Sequence, residues 1–510
     1  MSVTLASLAD TLRGQGLLAR AEGLADAGGL AITGADCDSR MAAPGHLFVA
    51  KGVSFRAAYL ASAVEKGAVA YLCGEELASQ LAQTAPGVPA LVATDVRRAM
   101  AVVSPLAWGN PDRDLQIVGL TGTKGKSTTA YMLRAILDGG RPGSGTGIMG
   151  SISTYDGIED LESLNTTPEA PDLWRHVHNV RASGLERLVM EVSSQGLKYD
   201  RTLGLHLDVA CFLNLGRDHI SPVEHPDFED YLASKLKIFS QADAAVVNRG
   251  TDRFEQVVDA ARACKQLLVF SIAGPEEGVD VWARDVRPTE GGMAFVAHTP
   301  SWEGPVELPL LGDFNVENAL CALCVCELLG IPREQAVRGL AQARVPGRME
   351  TLASTDGQIV GIVDFAHNKM AFSRLLPAVR AQYPGRKVVA VFGAVGSKAL
   401  ERRVELPQEA AKWADYLVFT EDDPGSEPVM DICLAMEASL PEGFPHEIVP
   451  DRAEAVRRAV ELALESDEPT VVCLLCRGTE PTMHRGNRFE PMKLDAELFR
   501  EALDACGVEA

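Results

Sequence analysis

The sequence predicts an α/β chain of three domains, and three observations carry that reading. Apolar runs of strand length alternate with segments of helical periodicity along most of the 510 residues. A glycine-rich turn stands between a strand signal and a helix signal at 119–129. Two turn-rich joints, Trp108-Gly109-Asn110-Pro111-Asp112 and Val345-Pro346-Gly347-Arg348, interrupt the alternation. The expected domains are therefore 1–111, 112–345 and 346–510. The first is a small α/β domain, the second carries a mostly parallel sheet around a phosphate-binding loop (P-loop), and the third is Rossmann-like. A chain of this length exceeds what one core serves.

Taken in order, the first segment opens on a helical pattern at Leu5, Leu8 and Leu12. A strand at 47–50, a helix at 57–66 and strands at 68–73 and 90–93 follow. In the second segment, 115–118 reads as a short buried strand before the turn. Met132, Leu133, Ile136 and Leu137 space out one face of the helix after it. Further strands are expected at 187–192, 209–214 and 244–248, with helices at 229–239 and 316–329. The third segment gives strand 359–363, helix 371–382, strand 387–392, helix 405–414 and strand 416–420. It continues with helices 430–439 and 452–465 and strand 470–475, without a glycine fingerprint of its own.

Composition limits the functions available. Apolar content of 46% and charged content of 23% are those of an ordinary globular protein. The net charge of −22 argues against non-specific nucleic-acid binding and against an anionic membrane surface. An anionic substrate stays open, because local Lys and Arg act within a Debye length. No run of 18 apolar residues occurs, and Met1-Ser2-Val3-Thr4 lacks the basic flank and apolar core of a secretory signal. A cytoplasmic protein without a membrane span is expected. Eleven cysteines are too sparse for a disulfide scaffold. Cys321, Cys324 and Cys326 fall in a helical pattern, and Cys473 and Cys476 at a strand-like run. Those apolar settings favour buried free thiols over a zinc site.

Strand, glycine-rich turn and helix together aim backbone N–H groups and a helix N-terminus at an anion. In Gly122-Thr123-Lys124-Gly125-Lys126-Ser127-Thr128, Lys126 adds a cation for the β/γ-phosphates and Ser127 a hydroxyl for Mg²⁺. The strict pattern G-x-x-x-x-G-K-[ST] wants glycine at position 120, where Leu120 stands. A nucleoside triphosphate site is expected nonetheless, since Gly-Lys-Ser follows a strand signal directly. Ligands in such sheets bind at the carboxyl ends of strands. Glu191 ends one, Asp218-His219 follows another, and Lys235 lies in the helix expected at 229–239. Singly each is an ordinary polar side chain; beside a phosphate loop they suggest a Mg²⁺–nucleotide site.

With their neighbours, these residues resemble the Mur ligases. The motifs, in order, are Thr121-Gly-Thr-Lys-Gly-Lys-Ser127, Asn165-Thr-Thr-Pro168, Glu191-Val-Ser-Ser194, Arg217-Asp-His219, Ser234-Lys235, Asp313-Phe-Asn-Val-Glu-Asn318, Pro346-Gly-Arg-Met-Glu350 and Asp364-Phe-Ala-His367. Asp38-Ser39-Arg40 and the stretch 45–50 are similar to the N-terminal domain of the MurE branch, the UDP-N-acetylmuramoyl-tripeptide synthetases. The resemblance covers nearly the whole chain. It implies a monomeric, ATP-dependent amide ligase of peptidoglycan precursor synthesis. Such enzymes add a diamino acid to UDP-N-acetylmuramoyl-L-alanyl-D-glutamate through an acyl phosphate. By the same resemblance, domain 1–111 binds the UDP-sugar, 112–345 binds ATP and 346–510 binds the amino acid.

The resemblance also distributes roles. Gly122, Thr123, Lys124, Gly125, Lys126, Ser127 and Thr128 hold the ATP phosphates, with Lys126 on the transferring group. Ser127 and Glu191 hold Mg²⁺, and His219 a second Mg²⁺. Lys235 matches a lysine that family members carry N-carboxylated, as a metal-supporting anion. Asn318, Arg348, Asp364 and His367 match positions that grip adenosine and the γ-phosphate. Ser39, Asn165, Thr166, Thr167, Ser193, Tyr199 and Arg201 match the grip on the UDP-muramoyl dipeptide. Three stretches depart from the commoner family pattern: Ile220-Ser-Pro-Val-Glu-His225, Asn368-Lys-Met370 and Cys476-Arg-Gly-Thr-Glu480. The first two resemble variants of Gram-positive lysine-adding enzymes.

The amino acid added is read from Asp422-Asp423-Pro424-Gly425. In the MurE enzymes that use meso-diaminopimelate, an arginine at the fourth position clasps the distal carboxylate. Here that position is Gly425, and Asp422, Asp423 and Glu480 make an acidic pocket suited to the ammonium of L-lysine. The alternatives are meso-diaminopimelate, the shorter L-ornithine, and another ligase on the same core, such as a folylpolyglutamate synthetase. The last has no use for the Asp-Ser-Arg domain.

Overall fold

Short runs such as Leu47-Phe48-Val49-Ala50 put alternate residues on opposite faces of a sheet, and both faces are covered. The computed structural model describes residues 3–52, 54–139, 141, 144–163, 165–218, 220–221 and 224–509. Two units are distinguished: Met1–Ser271 with Pro275–Val281 and Cys321–Ala336, and Ile272–Gly274 with Trp282–Leu320 and Val337–Ala510.

In the first unit, strands Ala90–Ala93, Ala70–Gly74, His46–Ala50 and Gly34–Asp36 run parallel, with Leu18–Glu22 antiparallel at the edge. Leu47, Val49, Leu72 and Leu91 pack against helices Leu5–Gly14 and Val96–Ala107. The residues between them, Phe48, Ala50, Tyr71 and Val92, pack against helices Ala57–Glu65 and Glu75–Thr84. A second sheet of this unit runs in the order Gln266–Ser271, Ala242–Asn248, Leu207–Phe212, Gln116–Thr121, Arg187–Glu191 and Thr146–Met149. Gln116–Thr121 is parallel to both neighbours, with Glu191 opposite Leu120 and Phe212 opposite Thr121. Three carboxyl ends therefore share one edge, and the glycine-rich turn leaves from the middle strand.

In the second unit, Glu350–Ala353, Ile359–Asp364, Thr470–Leu475, Lys387–Phe392, Tyr416–Phe419 and His446–Ile448 form a sheet in that order, parallel except for the first. Helix Lys369–Gln382 covers one face through Phe372, Leu376 and Val379. Helices Arg452–Leu464 and Asp495–Ala505 cover the other. Arg452 and Asp495 are both buried and 2.6 Å apart, which ties those two helices together.

The α/β class is the one expected from the sequence. The largest stretch that differs is Val281–Thr289, Gly292–His298 and Glu303–Leu308, which form an antiparallel meander where strand–helix alternation is expected. Its last strand alternates exposed and buried residues, with Pro305 on the exposed side, which an outermost strand tolerates. All eleven cysteines are free, and Cys73, Cys211, Cys321, Cys324, Cys326, Cys433, Cys473 and Cys476 are buried. Among the described residues no helix is long and apolar enough to cross a membrane.

Candidate active site

The turn after Thr121 is shaped by glycine. Gly122 has φ +155°, and a Cβ there would lie 2.9 Å from Leu213 Cβ and 3.3 Å from the Asn214 nitrogen. Leu120 is a fully buried strand residue, so the turn begins after it and no glycine is required there. Gly125, at φ +88°, is the N-cap of helix Lys126–Leu137. The first N–H groups of such a helix lack intrahelical acceptors and face an anion readily. The neighbouring strand braces the loop. Asn214 Oδ1 accepts the Lys124 N–H at 2.8 Å, its Nδ2 donates to the Lys124 carbonyl at 3.0 Å, and its carbonyl accepts the Thr123 N–H at 3.0 Å. The sequence reading does not single out Asn214; its signal is its place just past a strand end.

Lys126 and Lys235 converge on one oxygen. Their Nζ atoms donate to the Gly122 carbonyl at 3.0 and 2.9 Å. Lys235 is 2% exposed, with its Nζ 4.6 Å from the centre of the Tyr231 ring. Burial, and then the neighbouring Lys126 charge, push the Lys235 pKa well below that of an ordinary lysine, against the pull of Asp218. Beside the two lysines lies a cavity of about 130 Å³. It brings together Gly122, Lys126, Asn165, Thr166, Ser193, Arg201 and Lys235 of the expected residues. Ser194, Gln195, Glu224 and Tyr231 also line it and are not among the expected ones.

Arg201 donates to the Thr167 carbonyl at 2.9 Å and pairs with Glu169 at 2.9 Å, and Lys51 reaches the same carboxylate at 3.1 Å. Thr167 Oγ1 accepts the Ser193 N–H at 2.9 Å and donates to the Glu191 carbonyl at 3.0 Å. Ser39 and Tyr199 are not part of the cavity wall. Ser39 follows strand Gly34–Asp36, and the Arg97 guanidinium covers the Tyr199 ring at 4.8 Å.

Glu191 accepts the Ser151 N–H at 2.8 Å and the Ser151 hydroxyl at 3.2 Å. Ser127 lies in the first turn of its helix, and Thr121 Oγ1 is buried without a partner among the described residues. Hydroxyl and carboxylate oxygens are the donors that a hard cation such as Mg²⁺ takes. His219 lies outside the described residues. Elsewhere, Asp156, Glu159 and His176 bring ligand atoms within 4.8 Å of one another. That cluster is already paired internally: Asp156 accepts from Asn179 at 2.9 Å and lies 2.7 Å from His176 Nδ1, while Arg175 holds Glu159.

In the second unit, Asn318 Nδ2 donates to Asn315 Oδ1 at 3.0 Å. The Arg348 guanidinium sits 4.5 Å over the Phe365 ring, whose carbonyl lies 2.7 Å from His367 Nδ1. Asp364 accepts the N–H groups of Met349 and Ala366, both at 2.7 Å. The expected acidic group does assemble, but around a guanidinium: Arg477 lies 3.2, 2.8 and 2.9 Å from Asp422, Asp423 and Glu480. Partial burial, and then Asp422 and Asp423, push Glu480 up to about 7 against the pull of Arg477. Gly425, after Pro424, has φ +59°; its N–H donates to the His484 carbonyl at 2.9 Å and its carbonyl accepts from Gly486 at 2.6 Å. Cys476, where the commoner family pattern has glycine, takes φ +83°.

A glycine-turned loop on the middle strand of a parallel sheet, with a lysine at its helix start, defines a P-loop α/β protein. The Mur ligase middle domain matches residues 120–326, and the Mur ligase glutamate ligase domain matches residues 347–476. The chain belongs to the Mur ligase family, in its MurE branch. It is 35% identical over 445 residues to the UDP-N-acetylmuramoyl-L-alanyl-D-glutamate–L-lysine ligase of Enterococcus faecalis, covering 86% of both chains. It is 34% identical over 461 residues to a UDP-N-acetylmuramyl-tripeptide synthetase of Lactobacillus delbrueckii subsp. bulgaricus, covering 86% of this chain and 87% of that one. A solved UDP-N-acetylmuramoyl-L-alanyl-D-glutamate–2,6-diaminopimelate ligase has the same fold, with a TM-score of 0.66 at 24% identity over 99% of this chain and 100% of that chain.

Proposed function

We propose that this chain is an ATP-dependent ligase that joins L-lysine to UDP-N-acetylmuramoyl-L-alanyl-D-glutamate in peptidoglycan precursor synthesis. One observation carries the reading: Lys126, Lys235 and Arg201 line the same cavity at the mouth of the phosphate loop. A carboxylate does not accept an amine at neutral pH, so it must first be phosphorylated. The γ-phosphoryl group of ATP moves to the glutamate carboxylate, ADP leaves, the amine attacks the acyl carbon, and phosphate departs. Positioning and charge neutralisation carry such transfers.

In this reading residues 122–128 cradle the phosphates and Lys126 neutralises charge on the transferring group. Arg201, with Asn165, Thr166, Thr167 and Ser193, grips the substrate carboxylates, and Ser39 and Tyr199 serve the UDP-muramoyl part. Asn318, Arg348, Asp364 and His367 serve the nucleotide. Ser127 and Glu191, together with His219 and a modified Lys235, would hold Mg²⁺, which would supply positive charge to offset that of the phosphates. Lys235 is suited to N-carboxylation because burial beside Lys126 favours its neutral amine. The neutral amine nitrogen bonds to the carbon of CO₂ and one proton leaves, so that the ammonium, having lost two protons in all, is replaced by a carbamate anion. Domain 1–111 takes the UDP-sugar, 112–345 the ATP and 346–510 the amino acid. A cytoplasmic location and a monomer belong to the same reading, since free thiols and ATP suit that compartment and one chain carries every residue used.

L-Lysine follows from Gly425, which offers no guanidinium to a distal carboxylate, and from three carboxyl groups sharing one arginine, Arg477. An unmatched buried carboxylate costs more than ~1.4 kcal/mol, so L-lysine should exceed meso-diaminopimelate by at least ~10-fold in kcat/KM. The test is phosphate release with the UDP-muramoyl dipeptide, ATP and a panel of L-lysine, L-ornithine and meso-diaminopimelate. No release with any of them removes the ligase reading. Equal or better use of meso-diaminopimelate or L-ornithine removes the lysine assignment alone.

A further inference from the structure

Behind one wall of the cavity stands a chain of groups that the ligase reading leaves unused. Ser194 Oγ lies 2.9 Å from His225 Nε2, and His225 Nδ1 lies 2.6 Å from Asp230 Oδ2. Ser194 lines the cavity together with Lys126, Arg201 and Lys235, while His225 is fully buried behind it. Separate elements hold the partners. Ser194 opens helix Ser194–Lys198, and Asp230 sits in the first turn of helix Phe228–Leu236. Lys198 Nζ links them, donating to Asp230 at 2.7 Å and to the Glu224 carbonyl at 2.9 Å.

Among the described residues, the charged and titratable groups around His225 are the Asp230 carboxylate, the Lys198 ammonium on that same carboxylate, adjacent Glu224, and the Tyr231 phenol, whose ring packs edge-on at 5.1 Å. These contacts order the hydrogens. Lys198 first, and then His225, hold Asp230 below the usual carboxylate range, so Asp230 stays ionised and only accepts. Nδ1 of the neutral ring then carries the hydrogen, leaving Nε2 as a base toward Ser194. The Ser194 hydroxyl donates to Nε2 and keeps its lone pairs for a donor in the cavity. A carboxylate, an imidazole and a hydroxyl in this sequence pass a proton inward from whatever donates to the hydroxyl.

We propose that Ser194 and His225 form the proton relay that deprotonates the incoming amino acid before it attacks. The inference rests on the ligase reading above. An amino acid arrives as an ammonium, which has no lone pair for the acyl carbon. It gives one proton to Ser194 Oγ as Ser194 gives its own to His225 Nε2, and Asp230 stabilises the imidazolium. The freed lone pair forms the C–N bond, the C–O bond to phosphate breaks, and the second nitrogen proton leaves with phosphate. His225 then returns its proton to solvent. Ser194 touches the substrate; His225 and Asp230 are positioning residues that act through it.

The test compares two nucleophiles on the full-length enzyme with UDP-muramoyl dipeptide and ATP. L-Lysine needs deprotonation, whereas hydroxylamine is neutral at pH 7 and traps the acyl phosphate as a hydroxamate. Ser194→Ala and His225→Gln should each lose about 100-fold in kcat with L-lysine, yet form hydroxamate within about twofold of wild type. A loss below about tenfold with L-lysine, or an equal loss with both nucleophiles, would overturn the relay. Ser194→Ala removes one oxygen from the cavity wall and carries the test even where His225→Gln fails to fold. Wild-type enzyme that forms no hydroxamate would instead sink the ligase reading, and the relay with it.

Discussion

Lys235 and Lys126 meet at the Gly122 carbonyl, and the consequence for Lys235 is testable residue by residue. If the buried amine is carboxylated, Lys235→Ala should lose most activity, and formate should restore part of it. Lys235→Glu should keep more activity than Lys235→Ala, because it retains an anion. An active preparation whose intact mass shows an unmodified chain would count against the carbamate. Glu480 gives a second expectation, in pH. Its carboxyl is pushed up to about 7, so it is neutral below that value and anionic above it. Recognition of the lysine ammonium should therefore strengthen as pH rises, with KM for L-lysine falling through about pH 7. Glu480→Gln should flatten that dependence; an unchanged profile in the variant would remove Glu480 from the amino-acid site. The phosphate-loop pattern pointed at Lys126, and Glu191 and Lys235 became candidates only beside that loop and through the family resemblance. Arg477 and His225 stayed unread because a side chain's role inside a cluster depends on partners distant in sequence.

At the scale of elements, the turn at Gly425 is built together with the hairpin of strands Thr482–Arg485 and Arg488–Pro491. Gly425 exchanges backbone hydrogen bonds with His484 and Gly486, and the His484 N–H donates to Asp423 Oδ1 at 2.9 Å. At φ +59° a side chain costs about 1–2 kcal/mol, except that asparagine adopts this region more readily. Gly425→Arg should thus lower kcat/KM for L-lysine by at least ~10-fold, while Gly425→Asn stays within about threefold. Equal losses in the two variants would assign the effect to backbone strain and not to charge. Parallel strands such as Gln116–Thr121, Arg187–Glu191 and Lys387–Phe392 were legible because continuous apolar runs and helical periodicity differ plainly, whereas the parallel strands Gly34–Asp36, Thr146–Met149, Gln266–Ser271 and His446–Ile448 were not read. The meander at 281–308 was not, since its outer strand carries Gly304 and Pro305, residues that argue against a strand until its place at the sheet's end is known. Strand Leu18–Glu22 was missed for a similar reason: its exposed Ala19 and Arg20 give no apolar run to read.

For the molecule as a whole, a ligand that binds only the folded state stabilises it in proportion to its excess over Kd. MgATP at about 100 times Kd adds about 2.7 kcal/mol, which for a chain of this length raises Tm by about 2–5 °C. Lys126→Ala should lose both this shift and phosphate release while keeping the unliganded Tm. Retention of even a tenth of wild-type turnover would take Lys126 out of the mechanism.

The eight buried thiols give the chain a built-in chronometer of its own opening. Cys73 reports on the first sheet; Cys211 and Cys321 on the sheet that bears the loop; Cys433, Cys473 and Cys476 on the Rossmann-like sheet. Burial also keeps the thiols of Cys73, Cys321, Cys433, Cys473 and Cys476 protonated and slow to react. A pulse of alkylating reagent during slow heating, read peptide by peptide, would therefore time-stamp which sheet lets go first. Adding MgATP before the pulse should delay the stamp at Cys211 and Cys321 ahead of all the others.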